Sequence, residues 1–335
     1  MSAVGKEHEF ILRARGLSIE VETGEGWIEV VDSVDLDVRP GEILGLVGES
    51  GSGKTLTSLS IMGLLPDNGR ISHGQVEVLG KVTSTMTERE LSDVRGVQMA
   101  MIFQEPRRCL NPAFTVGDQV AESLRRHRGW SRKQARARTK ELFELVEIPD
   151  AERRMGQYPH EFSGGMCQRV MLAMALACEP ALLIADEPTT ALDVTVQRQV
   201  LELIRRLQAD LGFGVLLITH DLGVVAEMCD RVAVMYAGQV VESADVDTVF
   251  HRPANPYTSA LLQSMLDTAE AGKPLSYISG TVPPADEFPI TCRFQARCAF
   301  AIESICTRPI PLLEVTPAHD SRCVRTHELD LQGAA

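Results

Sequence analysis

The octapeptide Gly48-Glu49-Ser50-Gly51-Ser52-Gly53-Lys54-Thr55 lies between an apolar run, Ile43 to Val47, and a segment carrying Leu59, Met62 and Leu65 before Pro66. It matches G-x-x-x-x-G-K-[ST] at every fixed position. Glycines let a backbone wrap so that successive N–H groups point at phosphate oxygens, and a helix starting there adds positive potential. In this pattern Lys54 reaches the β- and γ-phosphates and Thr55 ligates Mg²⁺. The plain alternative is a flexible Gly/Ser turn. Strand before, helix after and four fixed positions favour the phosphate loop.

Downstream, Leu182-Leu183-Ile184-Ala185-Asp186-Glu187 is an apolar strand ending in two acids. Taken alone, such a pair is a helix cap or a solvated turn. After a phosphate loop it reads differently: Asp186 holds Mg²⁺ through water, and Glu187 orients the attacking water or accepts its proton. Further strands are expected at Gly74 to Leu79, Met99 to Phe103, Ala181 to Ala185 and Val215 to Ile218. Residues 115–178 are mostly helical in pattern. Val200, Leu203, Ile204, Leu207 and Leu211 mark another helix by their spacing. Strands alternating with helices imply an α/β core with a mainly parallel sheet, which binds ligands at the carboxyl ends of its strands.

Acidic residues outnumber basic ones and the formal net charge is -13, which argues against nucleic acid as a partner. The apolar stretch Val170 to Ala185 is interrupted by Glu179-Pro180, so neither half is long enough to cross a bilayer. The opening MSAVGKEHEF has no apolar core behind a positive start, and a cytosolic chain is expected unless a partner holds it at a membrane. Arg125, Arg126, Arg128, Arg132, Lys133, Arg136, Arg138 and Lys140 read as a solvated helix face, with lipid headgroups as the alternative contact. Cys292, Cys298, Cys306 and Cys323 crowd the tail, separated by five, seven and sixteen residues. Four thiolates suit Zn²⁺ or an Fe–S cluster, although this spacing fits neither zinc fingers nor the common ferredoxin runs. The bland alternative is buried, unliganded thiols. His319 and His327 read as surface residues or spare ligands.

Phe162-Ser163-Gly164-Gly165-Met166 lies between the phosphate loop and the acid pair and opens a helix. It resembles the Leu-Ser-Gly-Gly-Gln signature of ABC ATPases, departing at Phe162 and Met166. Gln104 in Met-Ile-Phe-Gln-Glu-Pro resembles the Q-loop glutamine, Ala191-Leu192-Asp193 the D-loop, and His220 after Leu-Leu-Ile-Thr the H-loop histidine. Leu110-Asn111-Pro112, Tyr158-Pro159-His160-Glu161, Asn255-Pro256-Tyr257-Thr258 and Gly280-Thr281-Val282-Pro283-Pro284 resemble ATP-binding subunits of the oligopeptide/dipeptide permease family.

The resemblance implies a P-loop NTPase cassette with an N-terminal antiparallel β subdomain, a helical subdomain at about 105–178, and a small Cys-containing C-terminal domain. The boundary is expected near 265, giving domains 1–265 and 266–335. It also implies two ATP molecules sandwiched by two subunits, with Ser163, Gly164 and Gly165 serving the partner's nucleotide and Asp193 of the D-loop also among the nucleotide-binding residues. Gln104 and His220 would act at the γ-phosphate, Gln104 also at Mg²⁺. Implied partners are two transmembrane permease subunits, a second and commonly non-identical ATPase, and a solute-binding protein. The chain would then sit peripherally on the cytoplasmic face of the membrane. Relatives with this cysteine pattern imply a 4Fe–4S cluster, with zinc as second choice. Where relatives stack adenine on an aromatic residue, this chain has Val21, with Trp27 as a substitute or a core residue. Peptide import is the expected function. Nickel or another small solute is the alternative within the family. A soluble ABC ATPase of DNA repair or translation is the alternative outside it, against which stands the lack of a coiled-coil insertion or second cassette.

Overall fold

Ile43–Val47 is buried at every position, as a strand covered on both faces must be. The computed structural model describes residues 8–190, 192–264 and 277–334. In chain order its strands are β1 (Leu12–Thr23), β2 (Gly26–Val38), β3 (Ile43–Val47), β4 (Gly69–Val78), β5 (Lys81–Val82), β6 (Met99–Ile102), β7 (Leu182–Asp186), β8 (Gly214–Thr219), β9 (Arg231–Tyr236), β10 (Gln239–Asp245), β11 (Leu313–Thr316) and β12 (His319–Ser321). The helices are α1 (Lys54–Met62), α2 (Glu88–Val94), α3 (Pro106–Cys109), α4 (Val116–Arg128), α5 (Arg132–Leu145), α6 (Ala151–Arg154), α7 (Gly164–Leu176), α8 (Val194–Leu211), α9 (Leu222–Met228), α10 (Val246–His251), α11 (Pro256–Gln263) and α12 (Glu303–Cys306). The domain boundary expected near residue 265 lies outside the described residues.

The chain divides into two compact units, the first comprising Met1–Arg13, Asp37–Glu42 and Glu77–Leu217, the second Ala14–Leu36, Ile43–Val76 and Ile218–Ala335. In the first unit β6 runs parallel to β7, with Met99 opposite Leu182 and Ile102 opposite Ala185, and β8 lies on the other side of β7. The helical stretch expected over 115–178 resolves into α4, α5, α6 and α7. Gly129 ends α4 at φ 66°, and Glu147 and Asp150 turn the chain at φ 59° and 51°. Helices α4, α5 and α7 pack on one another through Val120, Leu124, Leu142, Phe143 and Val170, all buried. Helix α8 buries Val200, Leu203, Ile204 and Leu207 of the stripe expected from its spacing, while Leu211 at its last turn is 38% exposed. Two arginines of the basic run in α5 are tied to acids on neighbouring segments, Arg136 to Glu152 at 2.9 Å and Arg138 to Glu179 at 3.1 Å.

In the second unit β2, β1 and β4 lie side by side as an antiparallel-rich layer, and a separate sheet runs β11-β12-β10-β9-β3. There β3 is parallel to β9, with Val47 opposite Val234, while β9–β10, β10–β12 and β12–β11 are antiparallel. Its core gathers Val47, Val225, Val232, Val234, Tyr236, Val249, Tyr257, Leu262 and Phe294. From the tail, Phe294 enters this core, with Ile278, Val282, Phe288, Cys292 and Cys298 packed against it.

A bulge between Val240 and Glu242 in β10 turns Glu242 fully inward. Its Oε1 accepts from the Ala254 N–H at 2.6 Å and lies 2.8 Å from His319 Nε2, while Oε2 accepts from the Asn255 N–H at 3.0 Å. His319, expected at the surface, is thus buried: its strand pairs with β10, which no local pattern announces. Removing the carboxylate would leave two buried N–H groups unsatisfied. Glu242→Ala is expected to lower stability by about 3 kcal/mol, and Glu242→Gln by less, in chemical denaturation.

Candidate active site

The second unit supplies the phosphate loop. After β3, Gly48 adopts φ 155°, and a Cβ there would stand 2.0 Å from the Met235 carbonyl oxygen, so only glycine fits against β9. Gly53, at φ 102°, caps α1 without a side-chain hydrogen bond, which leaves the helix's first N–H groups to the loop's concave side. Lys54 is buried. Its Nζ donates to the carbonyls of Gly48 at 2.8 Å and Glu49 at 2.9 Å and lies 3.4 Å from Ser52 Oγ, so its charge sits over the loop. Ser50 and Gly51 form the loop's exposed tip, Ser52 is buried, and Thr55 is exposed in the first turn of α1. From the same unit, His220 is exposed just after β8. The adjoining Asp221 caps α9, its Oδ1 accepting from the N–H groups of Gly223 and Val224 at 2.9 and 3.2 Å.

The strand-end acids lie in the first unit. β7 is buried throughout and ends on Asp186, which is 4% exposed. Glu187 follows at φ 45°, a left-handed conformation costly for a residue with a side chain. Its Oε2 accepts from Gln104 Nε2 at 2.8 Å and from the Thr190 hydroxyl at 2.8 Å. Two residues singled out 83 positions apart are therefore in contact. Thr190 carries no such signal: nothing in the sequence marks one threonine of the Pro188-Thr189-Thr190 run over the other.

Ser163 caps α7, its Oγ accepting from the Met166 N–H at 3.4 Å. A Cβ on Gly165 would come 2.3 Å from Val196 Cγ1, so the close approach of α8 also favours glycine there, while one on Gly164 would stand 3.2 Å from the end of the Leu192 side chain, just before α8. Phe162 is buried, which explains why an aromatic replaces leucine there: the position needs apolar bulk. Asp193 caps α8 by accepting from the Val196 N–H at 3.0 Å, whereas Ala191 lies outside the described residues. The Trp27 ring lies under the Arg70 guanidinium, 3.8 Å from its centroid, and Arg70 also pairs with Glu20 at 2.7 Å. Val21 lies in β1.

The metal expectation for the tail is corrected. Cys292, Cys298, Cys306 and Cys323 do line one cavity, but all are free thiols. Among the described residues no group of three or more His, Cys, Asp or Glu side chains is placed to hold a metal ion. The cavity measures about 40 Å³ and is walled by Phe294, Ile310 and Leu329 along with the thiols. Burial pushes the Cys292, Cys298 and Cys323 thiols up. His327, the second spare ligand, does not alter this. Neither a 4Fe–4S cluster nor zinc is supported among the described residues, and Cys292 and Cys298 pack against the core of the second unit.

The family described as ABC transporter matches residues 31–190, and the family described as oligopeptide/dipeptide transporter, C-terminal region, matches residues 241–306. A Brucella ovis protein named for peptide import and ATP binding is 49% identical over 331 residues, covering 95% of this chain and 98% of its own length. A similarly named Brucella abortus protein is 46% identical over 313 residues, with 93% and 94% covered. Among solved structures, the dimeric ATP-binding cassette MJ0796 in a post-hydrolysis state with ADP and Pi matches with a TM-score of 0.63 at 28% identity, over 70% of this chain and 98% of that one. At 24% identity and a TM-score of 0.62, cbiO1 from Clostridium perfringens supports the fold alone. Likeness at this level, sustained from end to end of its relatives, makes the chain a member of the ATP-hydrolysing subunits of ABC transporters.

Proposed function

We propose that the chain powers the import of peptides, hydrolysing ATP on behalf of membrane-embedded permease subunits. The observation that carries the chemistry is Glu187, a carboxylate held at the end of a buried strand by Gln104 and Thr190. A base so fixed can orient a water toward a γ-phosphate and take its proton. Gly48, Glu49, Ser50, Gly51, Ser52 and Gly53 would wrap the phosphates, Lys54 would neutralise the β- and γ-oxygens, and His220 would contact the γ-phosphate. Thr55, Gln104 and Asp186 offer hydroxyl, amide and carboxylate oxygens, the hard donors that Mg²⁺ takes. Bound there, the ion would neutralise phosphate charge.

Ser163, Gly164, Gly165 and Asp193 would complete the site of a second ATPase subunit, most naturally a related but different chain. Hydrolysis would then require closure of the pair. We assign 1–265 to the cassette and 266–335 to a C-terminal domain of the oligopeptide/dipeptide type. Among the described residues no helix is long and apolar enough to cross a membrane. Attachment to the cytoplasmic face would come through the two permeases, with solute delivered by an extracytoplasmic binding protein. Peptide as the solute is supported by the tail match and by the names that the Brucella relatives carry.

The test is ATP turnover by the chain assembled with two permease subunits, a second ATPase and a solute-binding protein. Peptide-loaded binding protein is expected to raise turnover several-fold. Stimulation by a nickel-loaded or sugar-loaded binding protein, with none by peptides, would overturn the assignment.

A further inference from the structure

The strongest unclaimed feature is in the tail, between Cys292 and Cys298. Phe294 anchors this short segment. It is 5% exposed, and its ring lies 5.2 Å from both Tyr236 and Tyr257, whose own centroids are 4.6 Å apart. The aromatic trio fixes the arginines on either side of it.

Arg297 has a side chain only 6% exposed, and it forks onto Glu49, the second residue of the phosphate loop. Nη1 donates to Glu49 Oε2 at 2.8 Å and Nη2 to Oε1 at 2.9 Å. The remaining donors go to the Tyr236 hydroxyl at 3.4 Å, the Ser279 carbonyl at 2.8 Å and the Gly280 carbonyl at 3.3 Å. All five N–H groups of the guanidinium are thus used. The Glu49 backbone N–H in turn donates to the Tyr257 hydroxyl at 3.0 Å.

Arg293, 8% exposed at its side chain, grips the other end of the loop indirectly. Its Nη1 donates to the Ala237 carbonyl at 2.6 Å and its Nη2 to Asp32 at 2.8 Å. The next residue, Gly238, donates its N–H to the Ser52 carbonyl at 2.9 Å.

We propose that Arg297 is a positioning residue for nucleotide binding, through which the C-terminal segment holds the phosphate loop in its binding shape by way of Glu49. This rests on the reading of residues 48–55 as the triphosphate site. A loop with glycines at 48, 51 and 53 has much backbone freedom to lose when it closes on phosphate. A bidentate pair removes part of that freedom beforehand, so less is lost on binding. Glu49 contributes by its side chain facing away from the phosphates, toward the tail.

The test uses the full chain, with equilibrium binding of a fluorescent ATP analogue, steady-state hydrolysis in the assembled transporter and hydrogen exchange. Arg297→Ala is expected to raise the ATP KM about ten-fold with kcat changed less than about two-fold, the split of a ground-state effect. Arg297→Lys, which cannot fork, should recover only part of this. Glu49→Gln should match Arg297→Ala, and the double variant should be no worse than either single one. Amide exchange at 49–53 should quicken while that of β6 and β7 stays unchanged. Equal ATP affinity in wild type and in both Arg297→Ala and Glu49→Gln would overturn the proposal, as would uniformly faster exchange across the whole chain. If wild type itself binds no ATP, or Lys54→Ala binds it as well as wild type does, the phosphate-loop reading has failed instead.

Discussion

Glu187→Gln is expected to reduce kcat for ATP hydrolysis by at least about 100-fold while leaving ATP affinity intact. The hydrogen bonds from Gln104 Nε2 and from the Thr190 hydroxyl arrive at the same oxygen, Oε2. A glutamine carbonyl can accept both, so the replacement keeps the shape and these two contacts. What it loses is the charge and the ability to take a proton from water. The strained φ of 45° is unchanged in kind, because glutamine carries the same Cβ. Phosphate release measured beside binding of labelled ATP separates the two effects. Subunits that bind ATP without hydrolysing it should accumulate as closed pairs, visible by size-exclusion chromatography. Wild-type turnover in this variant would remove Glu187 from its assigned role.

Gly48→Ala is expected to weaken ATP binding by about 100-fold or more, equivalent to roughly 3 kcal/mol. The added methyl would stand 2.0 Å from the Met235 carbonyl oxygen and 3.0 Å from Ser52 Oγ. The first of these is backbone in a strand paired on both sides, so it cannot swing away, and the loop must move instead. Gly51 provides the contrast. A Cβ there meets nothing within 4 Å, although φ is 81°. Gly51→Ala should therefore bear only the left-handed backbone cost, about 1–2 kcal/mol, and lose affinity by a smaller factor. Isothermal titration with ATP ranks the three chains. If Gly48→Ala binds as tightly as Gly51→Ala, contact with β9 does not shape the loop.

Much of the cassette is legible in the order of residues because its signals are local. The apolar runs at 43–47 and 182–186 become buried strands, since a strand covered on both faces needs no alternation. The α8 stripe is legible for the complementary reason, its 3.6-residue period. Capping residues such as Ser163 and Asp193 mark helix starts through the backbone N–H groups they satisfy. The tail misleads for an equally physical reason. Four cysteines at uneven spacing describe a shared location, and location alone does not distinguish thiolates around a metal from neutral thiols around an apolar gap. Burial and the lack of a ligating arrangement among the described residues make that distinction.

By itself, then, the amino-acid sequence determined the fold class, the phosphate loop, the strand-end acids and the family, all of which are written in short segments with fixed spacing. Only the tertiary structure decided that Gln104 and Thr190 hold Glu187, that His319 is buried against Glu242, and that Arg297 reaches back across 248 residues to Glu49. Such contacts depend on which distant segments the core brings together. No property of an isolated glutamate or arginine encodes its partner, because side-chain pairing over that separation follows from packing and not from local backbone preference.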